Sequence, residues 1–269
     1  MHQQMSPRAT LRRVGWITTA SAILLGAAGF LIAFWIGWTL TSSSSIAGAH
    51  SGQLINARVA QEVDNHGVSA RIPSADPDVT WALGDFSYMR VIAQQSTPHR
   101  FGEIGWYRGS YLTRNAVKVV AVAKGSNGSS TRWVGPTIST SSTYTYKVVN
   151  DELCNGGATT LDNAWDFCYG TTKLVTHDIG IETAPRFISG GEVGTVSPRS
   201  PHGIEMGPSS ITNNKYKTTS GNWLSTTSVI CADADPETPS NGVCESWTDD
   251  DYQVTGVNPP DSTWRVEGP

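Results

Sequence analysis

From Val79 to Ile230 the chain runs as short stretches rich in valine, isoleucine, threonine and aromatics, each closed by Gly, Asn, Ser or Pro. STYTYKVVND (142–151) shows the cleanest two-residue alternation, the period of a half-buried strand. The stretches 80–95, EIGWYRGSYL, NAVKVVAVAK, TRWVGPTI, NAWDFCYG, TTKLVTHDIGIE, PRFISGGEV and NKYKTTSGNWLSTTSVI read the same way and bring the expected count to about nine to eleven strands. No helical period of 10–15 residues intervenes, so successive strands must pair antiparallel. The expected fold is all-β, an antiparallel β-sandwich or jelly roll spanning 79–230. Charged residues are only 16% of the chain and glycine is plentiful at 27, as suits such a sandwich with long polar turns.

The N-terminus has a different grammar. Residues 1–13 hold Arg8, Arg12 and Arg13 and no acid, and Val14 to Leu40 is uncharged. An apolar run of this length is enough for a single transmembrane helix, or signal-anchor, with 1–13 in the cytoplasm and the rest outside. Trp16, Trp35 and Trp38 sit near its ends, where interfacial aromatics lie. Ala47-Gly48-Ala49 also suits signal-peptide cleavage after Ala49, which would leave a secreted protein, although the apolar core is long for that role. Arg12-Arg13 hints at twin-arginine export, but the residues that follow fit poorly. An uncleaved anchor is favoured, and either route exports the domain. Residues 41–78 read as a flexible tether, with 54–66 able to form one or two helical turns. Residues 231–269 read as an acidic, Pro-rich tail, more loop than core.

Cys154 and Cys168, then Cys231 and Cys244, bracket two short loops, and in an exported domain they are expected as two local disulfides. No CxxC pair supports a zinc ribbon, no HExxH a zinc protease, and no GxSxG a serine hydrolase. Asp249-Asp250-Asp251 lacks the alternating ligand spacing of a calcium loop. No metal or cofactor is expected. A net charge of −4 without a basic stripe gives no reason to expect nucleic acid.

Two glutamates stand out by their framing. Glu103 lies in FGEIGWYRGS, between Gly102 and Gly105, and Glu192 follows Gly190-Gly191 in RFISGGEVGTVSPRSPHGIEMG. Glycine weakens a strand unless something must come close to it. Two glycine-flanked carboxylates are what an acid–base pair in a β-cleft would look like, and by strand alternation Gly105 would leave room there for a substrate backbone.

Taken together these residues resemble the neprosin-like glutamic peptidases, whose fold is a concanavalin- or lectin-like β-sandwich. The likeness rests on Glu103 before Gly105-Trp106, then Gly190-Gly191-Glu192-Val193, Pro198, His202 and Met206-Gly207, and covers roughly 80–230. It departs at Glu205, where that family has Gln, and in lacking a long N-terminal activation segment. The resemblance implies Glu103 and Glu192 as catalytic pair in a cleft between the two sheets, with Trp106, Tyr107 and His202 against a protein or peptide substrate. It also implies cofactor-free hydrolysis at acidic pH: one ionised carboxyl activates water, and one protonated carboxyl assists the leaving amine. Two other functions compete. One is a non-catalytic lectin-like module stacking glycan or surface polymer on Trp81, Trp106, Trp133, Trp165 and Trp223. The other is a structural surface protein held by the anchor.

Overall fold

The computed structural model describes residues 54–79, 85–109, 112–113, 116–157, 163–194, 204–207, 209–227, 230–231, 244–246, 249–258 and 263–267. Chain contacts divide the protein into two compact units, 1–45 and 46–269, and every described residue belongs to the second. The segment 14–40 lies outside the described residues, and no helix among those described is long and apolar enough to cross a membrane.

The described residues form two sheets whose pairings are all antiparallel. One has seven strands in the order β13 (Ile230–Cys231), β1 (Leu54–Asn65), β10 (Ala184–Gly194), β3 (Phe86–Gln95), β4 (Arg100–Gly109), β5 (Lys118–Lys124) and β6 (Ser130–Thr137). The other runs β14 (Cys244–Ser246), β15 (Asp249–Asn258), β16 (Thr263–Glu267), β11 (Ser209–Lys217), β2 (Gly67–Pro73), β7 (Thr143–Asn150), β8 (Ala164–Tyr169) and β9 (Thr172–Asp178), with β12 (Trp223–Ser225) beside β11.

Alternation then builds the core. Met89 and Val91 of β3 with Ile104 and Trp106 of β4 meet Val68 and Ile72 of β2, Tyr146 and Val148 of β7, and Trp165 and Phe167 of β8. The first sheet is unusual in burying its other face as well. Tyr88, Ile92, Phe101, Tyr107, Val120, Val122 and Ile188 form a second apolar cluster there. That explains why β3 is buried at eight consecutive positions rather than at every second one.

The strands expected between 79 and 230 are present, but the domain is larger at both ends. The stretch read as a tether supplies β1 and β2, neither of them an edge strand. In β2, Val68, Ala70 and Ile72 alternate inward, a signal only three positions long before Pro73 ends it. In β1 the expected helical turns are extended strand: Ala57 and Val59 face the intersheet core, while Arg58 on the other face is 3% exposed. A buried arginine made this strand read as solvated chain. Between β1 and β2 the path crosses from one sheet to the other, and the Asn65 side-chain amide fixes that corner by donating to the carbonyls of Val63 and Ala184 at 2.9 and 2.7 Å. The residues read as a tail contribute β14–β16, and Trp264 and Val266 are fully buried on either side of exposed Arg265. Burial of a Trp and a Val adds about 4 kcal/mol or more to stability, which marks this segment as part of the domain.

The Cys154–Cys168 disulfide is present, with Cα atoms 5.5 Å apart. The side chains of Cys231 and Cys244 lie outside the described residues.

Since β1 stands between β13 and β10, and β2 between β11 and β7, a chain starting at Val79 is expected not to fold. It should show no cooperative thermal transition by near-ultraviolet circular dichroism, whereas a chain starting at Ile46 should melt sharply. A native-like melt of the shorter chain would show that β1 and β2 are dispensable.

Candidate active site

The central strands β10, β3 and β4 bring the two glutamates onto one face. Glu192 lies opposite Tyr88, Gly190 opposite Arg90, Gly105 opposite Arg90, and Glu103 opposite Ile92. Arg90 is therefore the centre of a diagonal, with Glu192 one step up on one neighbouring strand and Glu103 one step down on the other. Strand spacing and rise put the two glutamate Cα atoms about 10 Å apart across the strands and about 13 Å along them. Long side chains close that span by leaning over Arg90. Arg90 Nη2 donates to Glu192 Oε2 at 2.6 Å, and Arg90 Nε lies 3.0 Å from Glu103 Oε2. The second contact is an ion pair by distance, but its N–H is not aligned as a hydrogen bond, and Nη1 has no hydrogen-bond partner among the described residues. The guanidinium also lies 4.9 Å from the centre of the Tyr88 ring.

This face is turned away from the intersheet core, which corrects the expected position of the pair between the sheets. The reason is register: Ile104 and Trp106 of β4 fill the core, so Glu103 and Tyr107 must point the other way. The neighbours alternate accordingly. Gly102 abuts Phe167 and Gly191 abuts Met206, both on the core side. Gly105 does not hold a place open for substrate. A Cβ there would sit 1.8 Å from the Met89 carbonyl oxygen, so its job is to let β3 and β4 approach. Gly190, φ 156°, has the same function towards β1, where a Cβ would meet Ala57 O at 2.3 Å.

Burial and charge separate the two carboxyls. Burial pushes the Glu103 pKa up; Arg90 pulls it down and the negative charge of Glu192 pushes it up again, for a net value above the ordinary range. Burial also opposes ionisation of Glu192, but Arg90, by its charge and its hydrogen bond, and then Arg58 and Arg132, outweigh that and hold Glu192 below the ordinary range. Glu103 and Glu192 keep side-chain exposures of 12% and 16% against 5% for Arg90, so the carboxyls retain an open edge and the guanidinium does not.

The other expected contacts divide. Tyr107 shares the face of the glutamates, stacked on Phe86 at 5.3 Å. Trp106 does not: it is fully buried between the sheets and donates its indole N–H to Pro73 O, so it cannot touch a substrate held by the glutamates. His202 lies outside the described residues. Glu205 accepts a hydrogen bond from the Asp78 N–H at 2.6 Å and its own N–H donates to Asp78 O, tying 204–207 to the chain after β2. Of the tryptophans proposed for glycan stacking, Trp106 and Trp165 are core, Trp133 packs on Phe167, and Trp223 donates to Glu152; Trp81 lies outside the described residues. Among the described residues no cluster of His, Cys, Asp and Glu could hold a metal ion. Sequence reasoning missed Arg90. Its signal was a lone arginine inside the otherwise apolar core of FSYMRVIAQQ.

Neither a protein-family model nor a curated protein matches the chain. Among solved structures it is similar to scytalido-glutamic peptidase with a transition-state analogue inhibitor, at TM-score 0.49 and 10% identity over 81% of this chain and 98% of that one. SCP-B, a member of the eqolisin family of peptidases in complex with the tripeptide Ala-Ile-His, follows at TM-score 0.43 and 9% identity over the same shares. An alginate lyase from Alteromonas sp. 272 reaches TM-score 0.34 and 12% identity over 51% of this chain and 56% of that one. Likeness at this level assigns the chain no activity.

The ion triad predicts how stability depends on pH. Glu192, held low, contributes stability that is present above the unfolded-state pKa of about 4.3 and lost as pH falls through its folded value. Glu103, held high, contributes stability present below about 4.3 and lost as pH rises through its folded value. The joint contribution peaks in mild acid, with one carboxyl ionised and one protonated. Urea melts across pH should show Glu103→Gln removing the decline above that peak. Glu192→Gln should cost about 3 kcal/mol, because it strips Arg90 of its hydrogen-bonded counter-charge. An unaltered midpoint in Glu192→Gln would show that the triad carries no stability.

Proposed function

We propose that this chain is an exported glutamic-type endopeptidase of the neprosin-like kind, acting on protein or peptide with Glu103 and Glu192. The observation that carries the proposal is the pair of largely buried carboxyls, each with an open edge, joined through one guanidinium on one sheet face and pushed to opposite sides of the ordinary glutamate pKa. A like-charged pair so divided suits one base and one acid at a single pH. The framing of both residues in motifs that resemble those of that family adds support from the sequence.

The division assigns the roles. The ionised Glu192 takes a proton from a water molecule as its oxygen bonds to the scissile carbonyl carbon. The protonated Glu103 donates a hydrogen bond to the carbonyl oxygen as negative charge develops there. When the C–N bond breaks, the Glu103 proton goes to the departing amine, and the proton that Glu192 took from water passes to Glu103, which leaves Glu192 ionised and Glu103 protonated as at the start. The pair titrates jointly, so the acidic and basic limbs of the rate profile belong to the triad.

Export is part of the proposal. Three arginines precede the uncharged 14–40 segment, and the Cys154–Cys168 bridge suits an oxidising compartment. Protease added to intact cells should release the β domain; protection until lysis would place it inside.

The purified 46–269 domain should cleave a denatured protein at roughly pH 3 to 5, with a bell-shaped profile. Glu103→Gln and Glu192→Gln should each lower kcat/KM by about 100-fold or more, as loss of general acid–base assistance does. A folded wild-type domain that is inert in this range, or a Glu192→Gln protein of full activity, would overturn the assignment.

A further inference from the structure

Arg90 sits where a charge is costly. It is 4% exposed, and the residues on either side of it in β3, Tyr88, Met89, Val91 and Ile92, are apolar or aromatic. An arginine retained only as a structural tie would be expected to have its donors filled, because each unpaired buried donor costs stability. This one is left incomplete: Nη1 is unpartnered among the described residues and Nε approaches Glu103 without hydrogen-bond alignment. Its one well-formed bond, 2.6 Å, goes to Glu192. The contact is unequal by geometry.

We propose that Arg90 is the positioning residue of the pair: its fork grips Glu192 and merely faces Glu103, so Glu192 stays ionised to accept the proton of water while Glu103 keeps the proton it donates. This rests on the peptidase reading above. Charge bookkeeping supports it. Arg90 and the two carboxylates by themselves carry one excess negative charge, and Arg58 and Arg132 act on both acids alike, so they do not choose between them. The unequal grip decides which oxygen receives a proton. The other charged or titratable groups facing the triad are Arg58 on β1, Tyr88 on β3, Tyr107 on β4 and Arg132 on β6, while β5 presents Val120 and Val122 beside it and Lys118 and Lys124 a further step out. Tyr88 is committed elsewhere, donating its hydroxyl to Val120 O at 3.1 Å. Lysine could not replace Arg90, because a point-like ammonium lacks the planar fork that reaches two carboxylates in fixed directions.

The test titrates the glutamate carboxyls by carbon-13 NMR in the 46–269 domain, wild type, Arg90→Lys and Arg90→Met, with Glu103→Gln and Glu192→Gln used for assignment. The pH dependence of kcat/KM is measured on the same proteins. Wild type should show Glu192 taking up its proton at lower pH than Glu103. In Arg90→Lys the gap should shrink by at least one pH unit, a tenfold change in relative proton affinity, and the acidic limb of kcat/KM should move up with it. A loss of activity with the gap and the limb unmoved would make Arg90 a structural tie and overturn the proposal. If both Arg90 variants fail to fold, the wild-type titration still decides against it whenever Glu192 protonates before Glu103 as pH falls. If wild type is inert towards protein, the peptidase reading fails, while the titrations still report whether Arg90 sets the charge of the pair.

Discussion

A guanidinium held inside a β-sheet face, with a carboxylate on either side, is the interaction around which the first sheet is arranged. Removing an arginine and two glutamates from water costs several kcal/mol per ion, and that cost is offset only when the geometry is good. Here it is met by a diagonal across three adjacent strands. Changing the β3–β4 register by one residue would send Glu103 into the intersheet core and bring Gly102 or Ile104 onto the ionic face. The two apolar clusters, one on each side of the sheet, hold that register from both faces.

Glycine makes the diagonal possible. Of the two cross-strand partners of Arg90, Gly105 lets β4 close up on β3, where a methyl group would collide with the Met89 carbonyl, and Gly190 lets β1 close up on β10, where one would collide with the Ala57 carbonyl. Gly102 and Gly191 serve the opposite face, where Phe167 and Met206 need the space. The glycines around each glutamate thus answer to two different sides of the sheet. Met206 in turn links the second motif to the core beneath the site, and Glu205 fastens that segment to Asp78.

The second sheet carries its own ionic cluster, built on the opposite plan. Glu152 accepts Lys147 at 2.9 Å, Lys217 at 3.2 Å and the Trp223 indole at 3.1 Å, beside the Cys154–Cys168 bridge. Burial opposes its charge, but the two lysines and the indole hold the Glu152 pKa low. One carboxylate with two cations has no partner with which to divide a proton. Both sheets bury charge, and the first sets two acids on one cation where the second sets two cations on one acid.

Short runs of valine, isoleucine, threonine and aromatics closed by turn residues made most strands from 86 to 225 legible, with period-two alternation clearest in β7. Glycine framing singled out Glu103 and Glu192 in the same way. The sequence failed where burial was polar or brief: β1 hides its strand behind Arg58 and Gln61, β2 offers three inward residues, and β16 offers Trp264 and Val266. Tertiary structure alone decided the rest. Which face of a strand becomes the intersheet core depends on the sheet that packs against it, and this put Trp106 in the core and both glutamates on the outer face. The unequal contacts that Arg90 makes with the two acids were also beyond the sequence: Glu192 lies 102 residues from Arg90 along the chain yet 2.6 Å from it in space, and an electric field is set by distance in space and by burial, neither of which spacing along the chain records.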